Sequence, residues 1–188
     1  MKPTHYFDGH AAAFAAELDQ RDCFLDRQVI WEAGPFRKRY YLGDDAYPQS
    51  LVTSARSIVF RGSKVVVVSD RIGACHIQPG GHIEDGETIE AAVRRELLEE
   101  TGWRVGALFP FGFIFVEPAA QLQAAASPVS ESIHALFVAD GETYHRSLRD
   151  MTQIEVGSRL VSKSRALREL STEQALLLAA AIQRLNDR

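Results

Sequence analysis

The sequence predicts an α/β fold, a mixed β-sheet with helices packed on it. Three observations carry that expectation. Two apolar runs, "SLVTSARSIVF" (50–60) and "KVVVVSD" (64–70), flank Arg61-Gly62-Ser63 and read as a hairpin whose Val and Ile content suits burial on both faces. A helical segment spans Thr88 to Thr101, followed by Gly102. Further strand-like runs and a C-terminal helix complete an interleaving of the two element types.

In chain order, residues 8–20 read as a short Ala-rich helix. "RQVIWEAG" and "KRYYLG" then read as strands around a Gly34-Pro35 turn. The hairpin follows, and "IQPGGHIEDGE" (77–87) is expected to be a loop. Thr88 suits an N-cap, Glu90 lies in the first turn where the helix dipole favours an anion, and Gly102 suits a left-handed helix end. "LFPFGFIFVE" and "SIHALFVAD" read as strands, separated by "PAAQLQAAASPVS", an expected mobile loop. Ser171 and Gln174 fit a capping box ahead of "ALLLAAAI". Residues 1–50 are expected to be a helix and strands packed on the core and 51–188 the functional domain, the two forming one structural unit.

The chain has 188 residues, 46% hydrophobic and 24% charged, a composition that suits a globular core. Its net charge of −4 argues against binding long nucleic acids. An acidic protein with a phosphate ligand needs a local cation. Cys23 and Cys75 form no CxxC pair and read as reduced thiols, against a zinc site. "AAAFAA" lacks the context of a signal peptide and "ALLLAAAI" is too short to span a bilayer. The expectation is a cytoplasmic protein without membrane association; a homodimer is admitted.

The stretch "RRELLEETGW" places Glu96, Glu99 and Glu100 at i, i+3 and i+4, on one side of a helix. Ile89, Ala92 and Val93 fall on the same broad side, so the acids are drawn towards the protein. Clustered carboxylates at a cleft need cations, and hard oxygen ligands select Mg²⁺ or Mn²⁺ over zinc.

"GHIEDGETIEAAVRRELLEETGW" (81–103) resembles the Nudix box, G-x5-E-x7-R-E-U-x-E-E-x-G-U with U a bulky apolar residue. Gly81, Glu87, Arg95, Glu96, Leu97, Glu99, Glu100, Gly102 and Trp103 fill its fixed positions, Trp103 where an aliphatic residue is more usual. The resemblance implies a Nudix-type α/β/α sandwich and a Mg²⁺-dependent hydrolase of a nucleoside diphosphate linked to another moiety. It implies Glu99 and Glu100 as principal metal ligands, Glu96 as a further ligand or base, and the Gly81 carbonyl in the shell. Glu87 and Arg95 would pair to brace the loop against the helix.

Beyond the box, Glu131 is the expected further acidic ligand or base, with Glu117 as its competitor. Arg56 is the expected phosphate contact, ahead of Arg37, Lys38 and Arg39. His76, His82 and His134 read as hydrogen-bonding or core residues, and the alternating Phe111, Phe113 and Phe115 as core. Pro118, fifteen positions after Trp103, leans the substrate towards ADP-ribose or a nucleotide sugar. A nucleoside triphosphate pyrophosphatase, a non-catalytic nucleotide-sensing module and a prenyl diphosphate isomerase are the alternatives. The complete box favours an enzyme with a small nucleotide substrate.

Overall fold

The computed structural model describes residues 8–31, 33–119, 130–150 and 155–187. Most of the expected mobile loop, residues 120–129, lies outside them. The chain divides into two compact units, residues 1–53 with 112–135, and 54–111 with 136–188. Strands and helices interleave as the α/β expectation requires.

The first unit holds α1 (Asp8–Leu18), β1 (Leu25–Trp31), β2 (Gly34–Leu42), the second half of β7 (Trp103–Pro118) and the start of β8 (Ser132–Tyr144). β2 runs antiparallel to β1, from Leu25↔Tyr40 to Trp31↔Gly34, and to β7, from Phe36↔Pro118 to Leu42↔Gly112. Gly34 and Pro35 are therefore not the turn. They open β2 opposite Trp31 and Ile30, where proline is tolerated at a strand start. The Ala-rich helix buries Ala11, Phe14 and Leu18 against Tyr41, Phe113, Phe115 and Ile133. Phe113 and Phe115 are core residues, as their alternation suggests.

Arg37 and Arg39 are committed to acidic partners within this unit. The Arg39 side chain, 4% exposed, bonds Asp19 at 2.7 Å, contacts Glu117 Oε1 at 3.1 Å from Nε, and lies over the Phe115 ring. The Nε contact is an ion pair without hydrogen-bond alignment. Arg37 joins Asp26 to Glu117. Burial raises the Glu117 pKa, opposed by Arg39 and Arg37, and Glu131 adds to the rise.

In the second unit, β3 (Val52–Arg61) and β4 (Lys64–Asp70) pair only beside their turn, at Phe60↔Val65 and Arg61↔Lys64. The hairpin then opens and the following chain fills the gap. β5 (Cys75–His76) pairs with β4, and β6 (Gly80–His82) with β3. The segment expected as plain loop thus contains a short strand, supplied with partners by the splayed hairpin. β8 lies beside β3, and β9 (Glu155–Ser162) covers the other side of β4.

The apolar side of α2 (Ile89–Thr101) packs Ala92, Val93 and Leu97 on Ala55, Val59, Val66, Val68, Val105 and Ala139. After β9 come α3 (Lys163–Glu169) and α4 (Thr172–Asn186). In α4, Ser171 Oγ accepts from Gln174 N, but the Gln174 side chain leaves the expected capping box and accepts from Ile77 N at 3.0 Å. Among the described residues, no helix is long and apolar enough to cross a membrane.

Candidate functional site

The ends of α2 are fixed as the sequence anticipates. Thr88 Oγ1 accepts from Ala91 N at 3.2 Å, and Gly102 takes φ 78°, with its N–H donating to Leu98 O. Three groups outside the box satisfy the last carbonyls. Arg149 Nε donates to Glu100 O, Asp150 N to Glu99 O, and Ser158 Oγ to Thr101 O. Sequence reasoning missed these supports because they come from distant, polar segments without a motif.

Fixing the apolar side of α2 on the sheet fixes the acids. Glu96 and Glu100, one turn apart, are 8% and 5% exposed, while the Glu99 side chain is 33% exposed. β6 runs beside them. Gly80 N donates to Glu100 Oε2 at 2.7 Å. At Gly81 a Cβ would lie 2.5 Å from Glu96 Oε1, so only glycine lets the strand approach that carboxylate so closely.

Arg95 binds the group together with every N–H of its guanidinium. Nε and Nη2 each bond Glu87 at 3.0 Å, Nη2 also bonds His82 O, and Nη1 reaches Glu96 Oε1 at 2.9 Å and Glu99 Oε2 at 3.3 Å. Its hydrogen bonds hold the Glu87 carboxyl below the ordinary carboxylate value, against a smaller opposing effect of burial. The same pairing raises the pKa of Arg95. The expected brace between Glu87 and Arg95 is formed, and it ties the loop to the helix.

Among the described residues, no three His, Cys, Asp or Glu side chains converge on a metal position. Arg95 Nη1 lies between Glu96 and Glu99, acting as their local cation. The donor set nevertheless fits a hard divalent ion. It is entirely carboxylate, and the missing side chain at Gly81 leaves β6 lying directly against the Glu96 carboxylate.

The remaining expected site residues are placed differently. Arg56, on β3 opposite Gly80, donates from Nη1 to Gln78 O at 3.1 Å. Glu131 is half-buried one residue before β8 and belongs to the first unit, with Glu117. His82 contributes its carbonyl, His76 lies in β5, and His134 is buried parallel to the Trp31 ring.

The model of the NUDIX domain matches residues 51–153. Among solved structures, the chain is similar to a Bacillus subtilis pyrophosphohydrolase, BsRppH, at 18% identity and TM-score 0.61, over 86% of this chain and 96% of that one. It is also similar to a NUDIX hydrolase from Nitrosomonas europaea, at 19% identity and TM-score 0.53, over 70% and 89% of the two chains. A third likeness is to a MutT NUDIX hydrolase from Burkholderia pseudomallei, at 16% identity and TM-score 0.50, over 68% and 95%. At these identities the likenesses speak for the fold.

Proposed function

This chain belongs to the Nudix family, and from that premise we propose that it is a Mg²⁺- or Mn²⁺-dependent hydrolase of a phosphoanhydride in a nucleoside diphosphate linked to another moiety. The observation that carries the reading is the placement of Glu96 and Glu100 against Gly81 and Gly80, with Glu99 beside them on the more exposed side. Water adds across a P–O–P link: its oxygen bonds to one phosphorus, the anhydride P–O bond breaks, and each product ends in a phosphate.

Glu96, Glu99 and Glu100, with the Gly81 carbonyl, would hold the metal. When bound, it neutralises phosphoryl charge and lowers the pKa of water. Glu87 and Arg95 orient the acids. Arg56 binds phosphate, and Glu131 is retained as a further acid or base. Residues 51–188 are the domain to which we assign the reaction, in a cytoplasmic protein. The substrate reading leans to ADP-ribose or a nucleotide sugar through Pro118.

The test is a screen of purified protein with Mg²⁺ against ADP-ribose, nucleotide sugars, dinucleoside polyphosphates and nucleoside triphosphates, with products separated by chromatography. Two phosphate-ended products from ADP-ribose or a nucleotide sugar support the reading. Turnover of triphosphates alone replaces the substrate assignment, and tight nucleotide binding without any turnover replaces the enzyme with a sensing module.

A further inference from the structure

A cavity of about 370 Å³ lies between α2, the start of β7 and β8, within the second unit. Arg94, Arg95, Leu98, Arg104, Val105 and Glu142 line it. Arg94 and Leu98, one turn apart, mark the side of α2 turned away from Glu96 and Glu100. The cavity is therefore separate from the face on which the acids meet β6. Its volume falls at the low end of the roughly 300–1,000 Å³ range of small-molecule sites, which suits a compact ligand.

The charged groups on its wall are not equivalent. Arg95 is committed to Glu87, Glu96, Glu99 and His82 O. Arg94 is clamped in place: Nε and Nη2 bond Glu90, Nη1 donates to Val105 O, and Nη2 donates to Gly106 O at 2.8 Å. Arg104 and Glu142 differ. Both are exposed and line the same cavity, yet among the described residues neither makes a hydrogen bond or ion pair, with each other or with anything else. A glycine sets the position of Glu142. A Cβ on Gly106 would collide with Glu142 Oε1, so the carboxylate lies over the β7 backbone where a side chain would otherwise stand. The cavity thus presents an uncommitted guanidinium, an uncommitted carboxylate and the apolar side chains of Leu98 and Val105.

We propose that this cavity is a second binding site, for a sugar phosphate. The planar fork of Arg104 matches two oxygens of a phosphate monoester. Glu142, a carboxylate that can only accept, takes hydroxyl donors of the sugar, and Leu98 and Val105 lie against its carbon skeleton. Inorganic phosphate would use Arg104 alone and a free sugar Glu142 alone; the sugar phosphate uses both. Repulsion between Glu142 and the phosphate fixes which end goes where. The site needs neither a metal nor the α2 acids, so it stands apart from the hydrolase reading.

The test is calorimetric titration of the purified chain with ribose 5-phosphate, inorganic phosphate and ribose, each with Mg²⁺ and after chelation. Ribose 5-phosphate should bind about tenfold or more tighter than either fragment, and equally with and without Mg²⁺. Arg104→Gln should weaken it about tenfold or more, the scale of a lost charged hydrogen bond. Glu142→Ala should erase its advantage over inorganic phosphate. Both side chains are exposed and unpaired, so the melting temperature of each variant should stay near wild type. Wild-type protein that does not bind ribose 5-phosphate, or binds inorganic phosphate equally well, overturns the proposal. So does unchanged affinity in Arg104→Gln, or an undiminished preference in Glu142→Ala. Binding that requires Mg²⁺ and is lost in Glu100→Gln places the sugar phosphate at the acids and also overturns it. A chain that binds ribose 5-phosphate as expected but hydrolyses nothing keeps the cavity site and loses only the hydrolase reading.

Discussion

At the scale of single residues, the site depends on what glycine leaves out. A Cβ on Gly81 would stand 2.5–2.8 Å from the three atoms of the Glu96 carboxylate. Gly81 has no positive φ, so Gly81→Ala fits the backbone and acts by displacing that side chain. A misplacement of ~1 Å costs about 10²-fold in rate, and turnover should fall by that order while the melting temperature changes little. Steady-state rates and melting curves of the variant check this; an undiminished rate would remove Glu96 from the site. The box residues were legible because the motif fixes type and spacing together. The burial of the polar Gln78 was not, because it is a property of packing. The roles of Arg37 and Arg39 were also hidden: their acidic partners include Glu117, about eighty positions away along the chain.

At the scale of elements, α2 is set by its ends and one apolar side. Gly102 has φ 78°, and a Cβ there would also meet Arg149 Cγ and a Tyr144 ring carbon at 2.9 Å. Gly102→Ala should cost about 1 kcal/mol or more, from the left-handed conformation plus that crowding, read as a lower urea midpoint. The Glu87–Arg95 brace gives a pH dependence. The folded pKa of Glu87 lies below its ordinary value of 4.5, chiefly through hydrogen bonds from Arg95. Its stabilisation is therefore fully present above that value and is lost as pH falls through the depressed folded one. Glu87→Gln should melt below wild type at neutral pH, and the gap should close on acidification. A gap independent of pH would contradict the account. The helix, the β3–β4 hairpin and α4 were legible from periodicity and caps. β5 and β6 were not, because two- and three-residue strands carry no periodicity and exist only where β3 and β4 splay apart. β9 and α3 escaped because the polar residues of "EVGSRLVSKSRALRE" mask the short apolar pair Leu160-Val161.

At the scale of the whole molecule, a chain of net charge −4 that is to act on a diphosphate must reverse its sign locally. In the structure Arg95 supplies positive charge to Glu96 and Glu99. A bound divalent ion would supply more. Mg²⁺ that binds the folded state alone should raise wild-type stability, by about 2.7 kcal/mol at a concentration of roughly a hundred times Kd. Chelation should abolish that gain together with turnover. The most direct test of the site combines both readouts in Glu100→Gln, which nearly keeps the side-chain shape and removes the charge. Melting curves with and without Mg²⁺ should show a folded variant with a smaller Mg²⁺-induced shift, and turnover should fall by about 10² or more, as when a preorganised electrostatic group is lost. Wild-type turnover with an undiminished Mg²⁺ shift would contradict Glu100 as a metal ligand, and with it the metal-site reading of the acidic cluster.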